Sequence, residues 1–571
     1  MNDIKALYEL WKEKATEDED IINELNDIES NDAEILDRFY QNLSFGTAGL
    51  RGVIGAGTNR MNVYTVGQAT QGLADYLNSE FENPSVAIAY DSRIKSDVFA
   101  RCAAGVLAAN GIKVYFYPVL VPTPMLSFAV RRLHCSSGII ITASHNPSKY
   151  NGYKCYDPNG YQMTDEAADK TYEFIQKVDM FSGVKKMDFD DALAEDMIDF
   201  IEDWVFEGFY EKVLSAGVYD CNGTDLKVIY TPLNGTGNIP VREILKRKGI
   251  NNVQIVKTQE NPDGNFPTCP FPNPEIKQAF EEAIKMTDDY KADLLLATDP
   301  DCDRVGIAVK WQDEYKLMSG NEVGVLLAEY LLSRRQQLGT LPKNPLVVKS
   351  FVTTNLVDKV AESYNAETVS LLTGFKYIGE LITSLEEKGE ADRFVVGMEE
   401  SYGYLSGIHA RDKDAVVASM LICEMACYYK SQGMSLYEKM QSLYEKHGMY
   451  INSLLNFGFE GAEGMEKMQN MMEELRNTPP KEIAGLKVLE VSDYLGSVKL
   501  NTETGEETEI TLPKSNVLSY ALPNGSGAIV RPSGTEPKIK VYVTSCAETY
   551  EKAMKMSECI GNDMKKYMKI D

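Results

Sequence analysis

A serine and a histidine stand side by side in Thr142-Ala143-Ser144-His145-Asn146-Pro147, directly after the apolar run Gly138-Ile139-Ile140-Ile141. The run reads as a short buried strand and Asn-Pro as a turn, so a hydroxyl is delivered where the sheet must stop. That is how a nucleophile is presented to a substrate. Taken alone, a Ser-His pair reads better as a polar turn after a core strand. Three further motifs change that reading.

Asp299-Pro300-Asp301-Cys302-Asp303-Arg304 follows another strand-like run, Ala292 to Ala297. In an extended segment alternate side chains share a face, so Asp299, Asp301 and Asp303 are expected to converge. Three converging carboxylates repel unless a cation lies between them, and hard oxygen ligands select magnesium or calcium over zinc or copper. A calcium loop of the EF-hand type needs Gly at its sixth position and Glu at its twelfth. Those positions hold Arg304 and Lys310, which favours magnesium working with a phosphorylated partner. Arg531-Pro532-Ser533-Gly534-Thr535-Glu536-Pro537-Lys538-Ile539-Lys540 combines small residues that bare their N–H groups with hydroxyls and cations, a composition that can cradle phosphate. Gly397-Met398-Glu399-Glu400-Ser401-Tyr402-Gly403 follows strand-like Arg393 to Val396. Its Glu399 and Ser401 can grip vicinal sugar hydroxyls. Each of these motifs has a plain alternative as a charged or Ser-Gly turn.

The elements that must position these loops alternate along the chain. Val86 to Tyr90 and Val114 to Tyr117 read as strands, with a helix from Asp97 to Asn110 between them, the pattern of an open parallel or mixed sheet. Leu226 to Tyr230 opens a second such region, and a helix-rich passage runs from Asp414 to His447. A helix from Gly464 to Arg476 and a Pro479-Pro480 break precede the last motif. Residues 1–40 place Leu7, Leu10 and Trp11 at helical spacing and are expected to form a packing helix pair. At 571 residues the chain exceeds one core and divides into several domains.

Composition narrows the partners. The net charge of −27 provides no basic footprint for nucleic acid. No apolar run reaches the length of a membrane span, and Met1-Asn2-Asp3-Ile4-Lys5 lacks the apolar core of a signal peptide. A cytoplasmic protein with ten reduced thiols is expected; Cys423 and Cys427 sit four apart in an apolar helical stretch and should pack. Arg51, Arg93, Arg304, Lys376, Lys413, Arg531, Lys538 and Lys540 lie in or beside the motifs. A positive cleft in a negative body follows, which focuses anionic ligands. The other histidines, His134, His409 and His447, read as structural or surface residues.

Taken in order, the four motifs resemble the α-D-phosphohexomutases, specifically phosphoglucomutases of the long type that also includes phosphopentomutases. The resemblance runs from about residue 40 to the C-terminus. It extends to Gly46-Thr47-Ala48-Gly49-Leu50-Arg51-Gly52, Tyr90-Asp91-Ser92-Arg93, Thr373-Gly374-Phe375-Lys376 and Arg411-Asp412-Lys413-Asp414. It implies an α/β fold of four domains around a central cleft: three tandem mixed α/β domains sharing one fold, then a C-terminal α+β domain. The expected division is a helical leader at 1–40 and domains at 41–210 (phosphoserine loop), 211–320 (metal loop), 321–448 (sugar loop) and 449–571 (phosphate loop).

The resemblance also assigns roles. Ser144 would carry a phosphoryl group in the resting enzyme. Asp299, Asp301, Asp303 and a phosphate oxygen on Ser144 would hold Mg2+, and Arg51 and Arg304 would offset charge beside it. A sugar 1-phosphate would take the phosphoryl group, giving glucose 1,6-bisphosphate, which turns end for end and returns its other phosphoryl group to Ser144. His145 and Lys413 match the positions of the general acid and base, with the direction of each left open. Glu399 and Ser401 would hold sugar hydroxyls, with Thr373 and Gly374 near the sugar face. Arg531, Ser533, Gly534, Thr535 and Lys540 would hold the phosphate that does not react. Water must be excluded from such a cycle, so the C-terminal domain is expected to close over substrate. The expected activity is interconversion of glucose 1-phosphate and glucose 6-phosphate. The motifs leave open a pentose phosphate mutase, a phosphomannomutase, a sugar-bisphosphate synthase and, in another reaction class, a sugar-phosphate phosphatase. They also leave the oligomeric state open.

Overall fold

The computed structural model describes residues 2–46, 49–459, 461–533 and 538–570. The chain forms two compact units, one of Met1–Gly320 with Phe375–Ser435, the other of Asn321–Gly374 with Leu436–Asp571.

The first unit holds two sheets. Strands β1 (Gly49–Val53), β2 (Ser85–Tyr90), β3 (Lys113–Phe116), β4 (Ser137–Ile141), β5 (Tyr150–Tyr156) and β6 (Ile198–Phe200) lie in the order β1-β5-β4-β2-β3-β6. The run β4-β2-β3-β6 is parallel. Parallel neighbours require crossovers, and the helices Ser96–Ala109 and Thr123–Arg132 supply two of them. All five residues of β4 are buried, as expected of a strand covered on both faces. β5 runs antiparallel to β4 and β1. Gly152 on β5 is required there, because a Cβ would stand 2.5 Å from the Thr142 carbonyl oxygen.

The second sheet has the order β11-β10-β9-β7-β8, formed by β7 (Val228–Thr231), β8 (Val253–Ile255), β9 (Leu294–Thr298), β10 (Val305–Trp311) and β11 (Glu314–Met318). β9 is fully buried and parallel to β7, whereas β9 and β10 pair antiparallel. In the same unit, Phe394–Glu399 pairs antiparallel with Gly403–Leu405. The serine motif joins β4 to β5, the acidic motif joins β9 to β10, and the Glu399-to-Tyr402 turn joins the third pair. Three chemically distinct loops thus occupy one kind of position, the return from a buried strand into an antiparallel neighbour.

The N-terminal leader contains three short helices, Asn2–Lys14, Glu19–Asp27 and Asp32–Phe39, not the expected pair. Their breaks are set by caps: Asp18 accepts from the Asp20 N–H and Asn31 from the Glu34 N–H. Trp11 is fully buried against Phe39, Tyr64 and Phe181. Leu10, read as part of the same stripe, is exposed.

In the second unit Leu346–Ser350 and Glu367–Leu371 pair in parallel. A seven-stranded sheet begins at Met449–Gly458 and includes the hairpin of Gly527–Pro532 with Lys538–Ala547. Met468, Met472, Leu475, Val530, Val541, Ile560 and Met564 belong to the core between this sheet and the helices Gly461–Asn477 and Tyr550–Tyr567. All ten cysteines are free thiols, and Cys423 and Cys427 are buried within the helix Ala415–Ser431. Among the described residues no helix is long and apolar enough to cross a membrane.

Candidate active site

The serine loop is held by one guanidinium. Arg93 donates to the carbonyl oxygens of Ser144 and Asn146, and at 3.0 Å to those of Pro147 and Tyr150. Its Nε faces Asp91 at 3.4 Å, with both side chains fully buried. Asp91 in turn accepts from the Arg93 N–H and from Ser96. Arg93 therefore serves the backbone of the loop, not a ligand-facing surface. Ser144 itself has φ = 52°, a left-handed conformation uncommon outside glycine, and its N–H donates to Thr142 Oγ1 at 2.8 Å. Such conformations persist where the surroundings fix them, as in functional loops. Cys302 in the acidic loop (φ = 51°) and Tyr402 in the third loop (φ = 65°) share it.

The three aspartates do meet, but not by the alternation of an extended segment. Residues 299–304 form a turn in which Asp299 Oδ1 accepts from the N–H groups of Asp303 (3.1 Å) and Arg304 (2.9 Å). Side chains two apart on a strand stay about 7 Å apart, whereas the curled loop brings carboxylate oxygens of Asp299, Asp301 and Asp303 within 4.8 Å of one another. Burial and the charges of its two neighbours push the Asp299 pKa well above the usual range. Burial and Asp301 raise Asp303 as well. At Asp301 burial acts in the same sense, but the charges of Lys154 and Lys413 counter it and the carboxyl is held low. Three such groups cannot all ionise side by side without a compensating cation. Asp301 Oδ1 and Asp303 Oδ1 are buried without a hydrogen-bond partner. The donor set thus fits a hard divalent ion.

Ser144 and the acidic triad form one cluster. Ser144 Oγ donates to Asp299 Oδ2 at 2.8 Å and lies 3.1 Å from His145 Nδ1. Burial, Arg304 and Arg51 drive the His145 pKa down to about 2, so the imidazole is neutral here. Lys413 Nζ bridges Asp303 (3.0 Å) and Asp412 (2.9 Å). Burial alone would lower its pKa, yet Asp303 and Asp412 outweigh it and hold the ammonium protonated. Arg304 pairs with Glu275 at 2.6 Å and stands 3.7 Å from Asp303. Arg51, on β1, lies within electrostatic reach of Asp301, Asp303 and Arg304. Buried Glu399 acts electrostatically on both Arg304 and Lys413, and Ser401 is half-buried in the turn that follows.

Two close partners of the triad were not legible in the motifs. Lys154, on β5, donates to Asp301 Oδ2 at 3.0 Å. Its signal was a cation in a strand whose neighbour β4 is entirely buried: Lys154 lies opposite Ile140, and a lysine placed there needs an acid. Thr123, at the first position of its helix, donates Oγ1 to Asp301 Oδ2 at 3.0 Å. Tyr156 donates to Asp412 at 2.6 Å, behind Lys413. Lys376, grouped with the motif cations, pairs with Asp165.

The remaining expected residues lie in the second unit. Thr373 and Gly374 follow Glu367–Leu371, with Gly374 at φ = 115°. Arg531 and Lys540 are register partners in the terminal hairpin. Like charges placed directly opposite cost energy, which a bound anion would offset. The Ser533 N–H donates to the Lys538 carbonyl at 2.7 Å. Gly534 and Thr535 lie outside the described residues.

Comparison with known proteins agrees with this arrangement. Residues 42–181 match the model for phosphoglucomutase/phosphomannomutase α/β/α domain I, 207–312 that for domain II and 319–447 that for domain III. A phosphoglucomutase of Staphylococcus saprophyticus is 38% identical over 518 residues, covering 90% of this chain and 93% of its relative. One from Staphylococcus aureus is 36% identical over 557 residues, covering 97% and 98%. The chain belongs to the phosphoglucomutase/phosphomannomutase family of the α-D-phosphohexomutase superfamily. It is an enzyme of the phosphosugar mutase kind, an intramolecular phosphotransferase, with three tandem α/β/α domains and a further β-rich C-terminal domain. The fold is that of a phosphomannomutase crystal structure from Thermus thermophilus (TM-score 0.67, 22% identity, 92% of this chain and 99% of that one). It is also that of the Paramecium phosphoglucomutase parafusin (TM-score 0.68, 17% identity, 93% and 95%).

Proposed function

We propose that this family member interconverts glucose 1-phosphate and glucose 6-phosphate through phosphorylated Ser144 and glucose 1,6-bisphosphate. The observation that carries the reading is Ser144 Oγ lying 2.8 Å from Asp299, within the buried acidic triad. The curated relatives named phosphoglucomutase support the choice of glucose. Asp299, Asp301, Asp303 and a phosphate oxygen on Ser144 would hold Mg2+. When bound, the ion offsets the charge of the transferring group and orients it.

In the first half-reaction the P–O bond to Ser144 Oγ breaks and a P–O bond to the free sugar hydroxyl forms, giving the bisphosphate. The hydroxyl proton needs an acceptor, and the serine oxygen is released to a donor. His145, 3.1 Å from Ser144 Oγ, and Lys413, paired with Asp303, are the candidates to exchange these protons, in either direction. The second half-reaction runs the same exchange in reverse from the other end of the sugar, with roles interchanged. Arg51 and Arg304 would stabilise the phosphoryl charge. Glu399 and Ser401, with Thr373 and Gly374, would hold the sugar, and Arg531, Ser533, Gly534, Thr535 and Lys540 the non-reacting phosphate. The facing cations of the terminal hairpin support that last assignment. The domain limits 41–210, 211–320, 321–448 and 449–571 are proposed on the same grounds. A cytoplasmic location fits the ten free thiols.

The test is an assay with Mg2+, a trace of glucose 1,6-bisphosphate and glucose 1-phosphate, run beside ribose 1-phosphate. Formation of glucose 6-phosphate, lost on chelation and restored by Mg2+, is expected. Inorganic phosphate as the main product would instead make the protein a phosphatase. Faster turnover of ribose 1-phosphate would overturn the choice of hexose.

A further inference from the structure

Asp301 is the middle carboxylate of the triad, and its two oxygens have different surroundings. Oδ2 accepts from Thr123 Oγ1 and from Lys154 Nζ, each at 3.0 Å. Oδ1 is buried with no hydrogen-bond partner. The backbone is fixed as well: the Thr123 N–H donates to the Asp301 carbonyl oxygen at 2.9 Å. Thr123 opens the helix Thr123–Arg132 between Pro122 and Pro124. Its N–H has no partner within the helix, so the acidic loop supplies one. Thr123 is fully buried, so its hydroxyl must be satisfied inside the protein. A residue 178 positions away thus ties down Asp301 through both backbone and side chain.

We infer that Thr123 is a positioning residue of the metal centre: its hydroxyl occupies Asp301 Oδ2 and thereby turns the unpartnered Oδ1 toward the ion. Lys154 shares Oδ2, but as a point charge on a four-carbon stem it sets no direction for the carboxylate. The threonine is held by its helix and fixes the carboxylate plane. This inference rests on the triad being a divalent-metal centre. Partners that orient a ligating group typically contribute tenfold to a hundredfold in metal affinity.

The experiment is direct titration of Mn2+ into the full chain, followed by electron paramagnetic resonance of the free ion, with Ser144 phosphorylation matched across variants by mass spectrometry. Thr123→Val removes the hydroxyl at nearly constant volume, Thr123→Ala removes it in a smaller side chain, and Thr123→Ser keeps it. Circular dichroism reports folding. About a tenfold or greater rise in the Mn2+ dissociation constant is expected for the folded hydroxyl-less variants, with Thr123→Ser within about twofold of wild type. Wild-type affinity in either Thr123→Val or Thr123→Ala would overturn the inference. Loss in Thr123→Ser equal to that in Thr123→Val would overturn it too, by tracing the effect to something other than the hydroxyl. A wild-type protein that binds no Mn2+ would instead remove the metal centre on which the inference rests.

Discussion

At the level of single residues, the proposed chemistry rests on one hydroxyl and three carboxylates. Ser144→Ala is expected to abolish turnover while leaving the far-ultraviolet circular dichroism and the thermal transition near wild type, because the hydroxyl is tied to the reacting cluster and contributes little to the core. Turnover within tenfold of wild type would remove Ser144 from its role. Asp301→Asn should weaken Mg2+ binding and lower turnover by orders of magnitude; an unchanged Mg2+ dependence of the rate would contradict the ligand assignment. These residues were legible because each motif concentrates its reactive groups within a few positions. Lys154 and Thr123 were not, because each reaches the triad from a separate element, 147 and 178 positions from Asp301. The convergence of the aspartates was foreseen for a reason that does not hold. A turn fixed by Asp299 accepting two N–H groups gathers them, and spacing in sequence carries no mark of that turn.

At the level of elements, the fully buried strands β4 and β9 announced themselves as apolar runs. Their ends were placed within a residue or two, since a parallel strand covered on both faces leaves a continuous hydrophobic signal. What the sequence concealed is the support of the serine loop. Tyr90-Asp91-Ser92-Arg93 was visible as a motif, but its arginine read as a cation for an anionic ligand. Instead it gathers four loop carbonyls against a buried Asp91. Arg93→Lys keeps the charge but cannot reach those four acceptors from one planar fork. The expected outcome is a fall in kcat of about a hundredfold, the scale of a 1 Å misplacement of a reacting group. KM for glucose 1-phosphate should change much less. A variant with wild-type kcat would show that the loop holds its shape without the guanidinium. The leader departed from expectation for a comparable reason. Leu7, Leu10 and Trp11 suggested one stripe, but only Trp11 is fully buried, and local caps divide the segment into three helices.

At the level of the whole molecule, 85 acidic residues against 58 basic ones must still admit an anionic sugar phosphate. Fields from distant surface charges are screened beyond a Debye length of about 8 Å at physiological ionic strength. Under the proposed function, substrate capture is therefore decided by cations close to the reacting groups, such as Arg51, Arg304 and Lys413. Raising KCl should lower kcat/KM for glucose 1-phosphate, the sign of local attraction; a rise would mean that the net charge of −27 governs the encounter. In the proposed cycle the phosphoryl group leaves from and returns to one side chain, so the most direct measurement is the location of that group. Protein treated with glucose 1,6-bisphosphate carrying 18O-labelled phosphoryl groups and Mg2+, then digested and mapped by mass spectrometry, is predicted to carry the label on Ser144 and to lose it when chased with excess unlabelled glucose 1-phosphate. A phosphoryl group found on another residue, or none found on Ser144, would contradict the account.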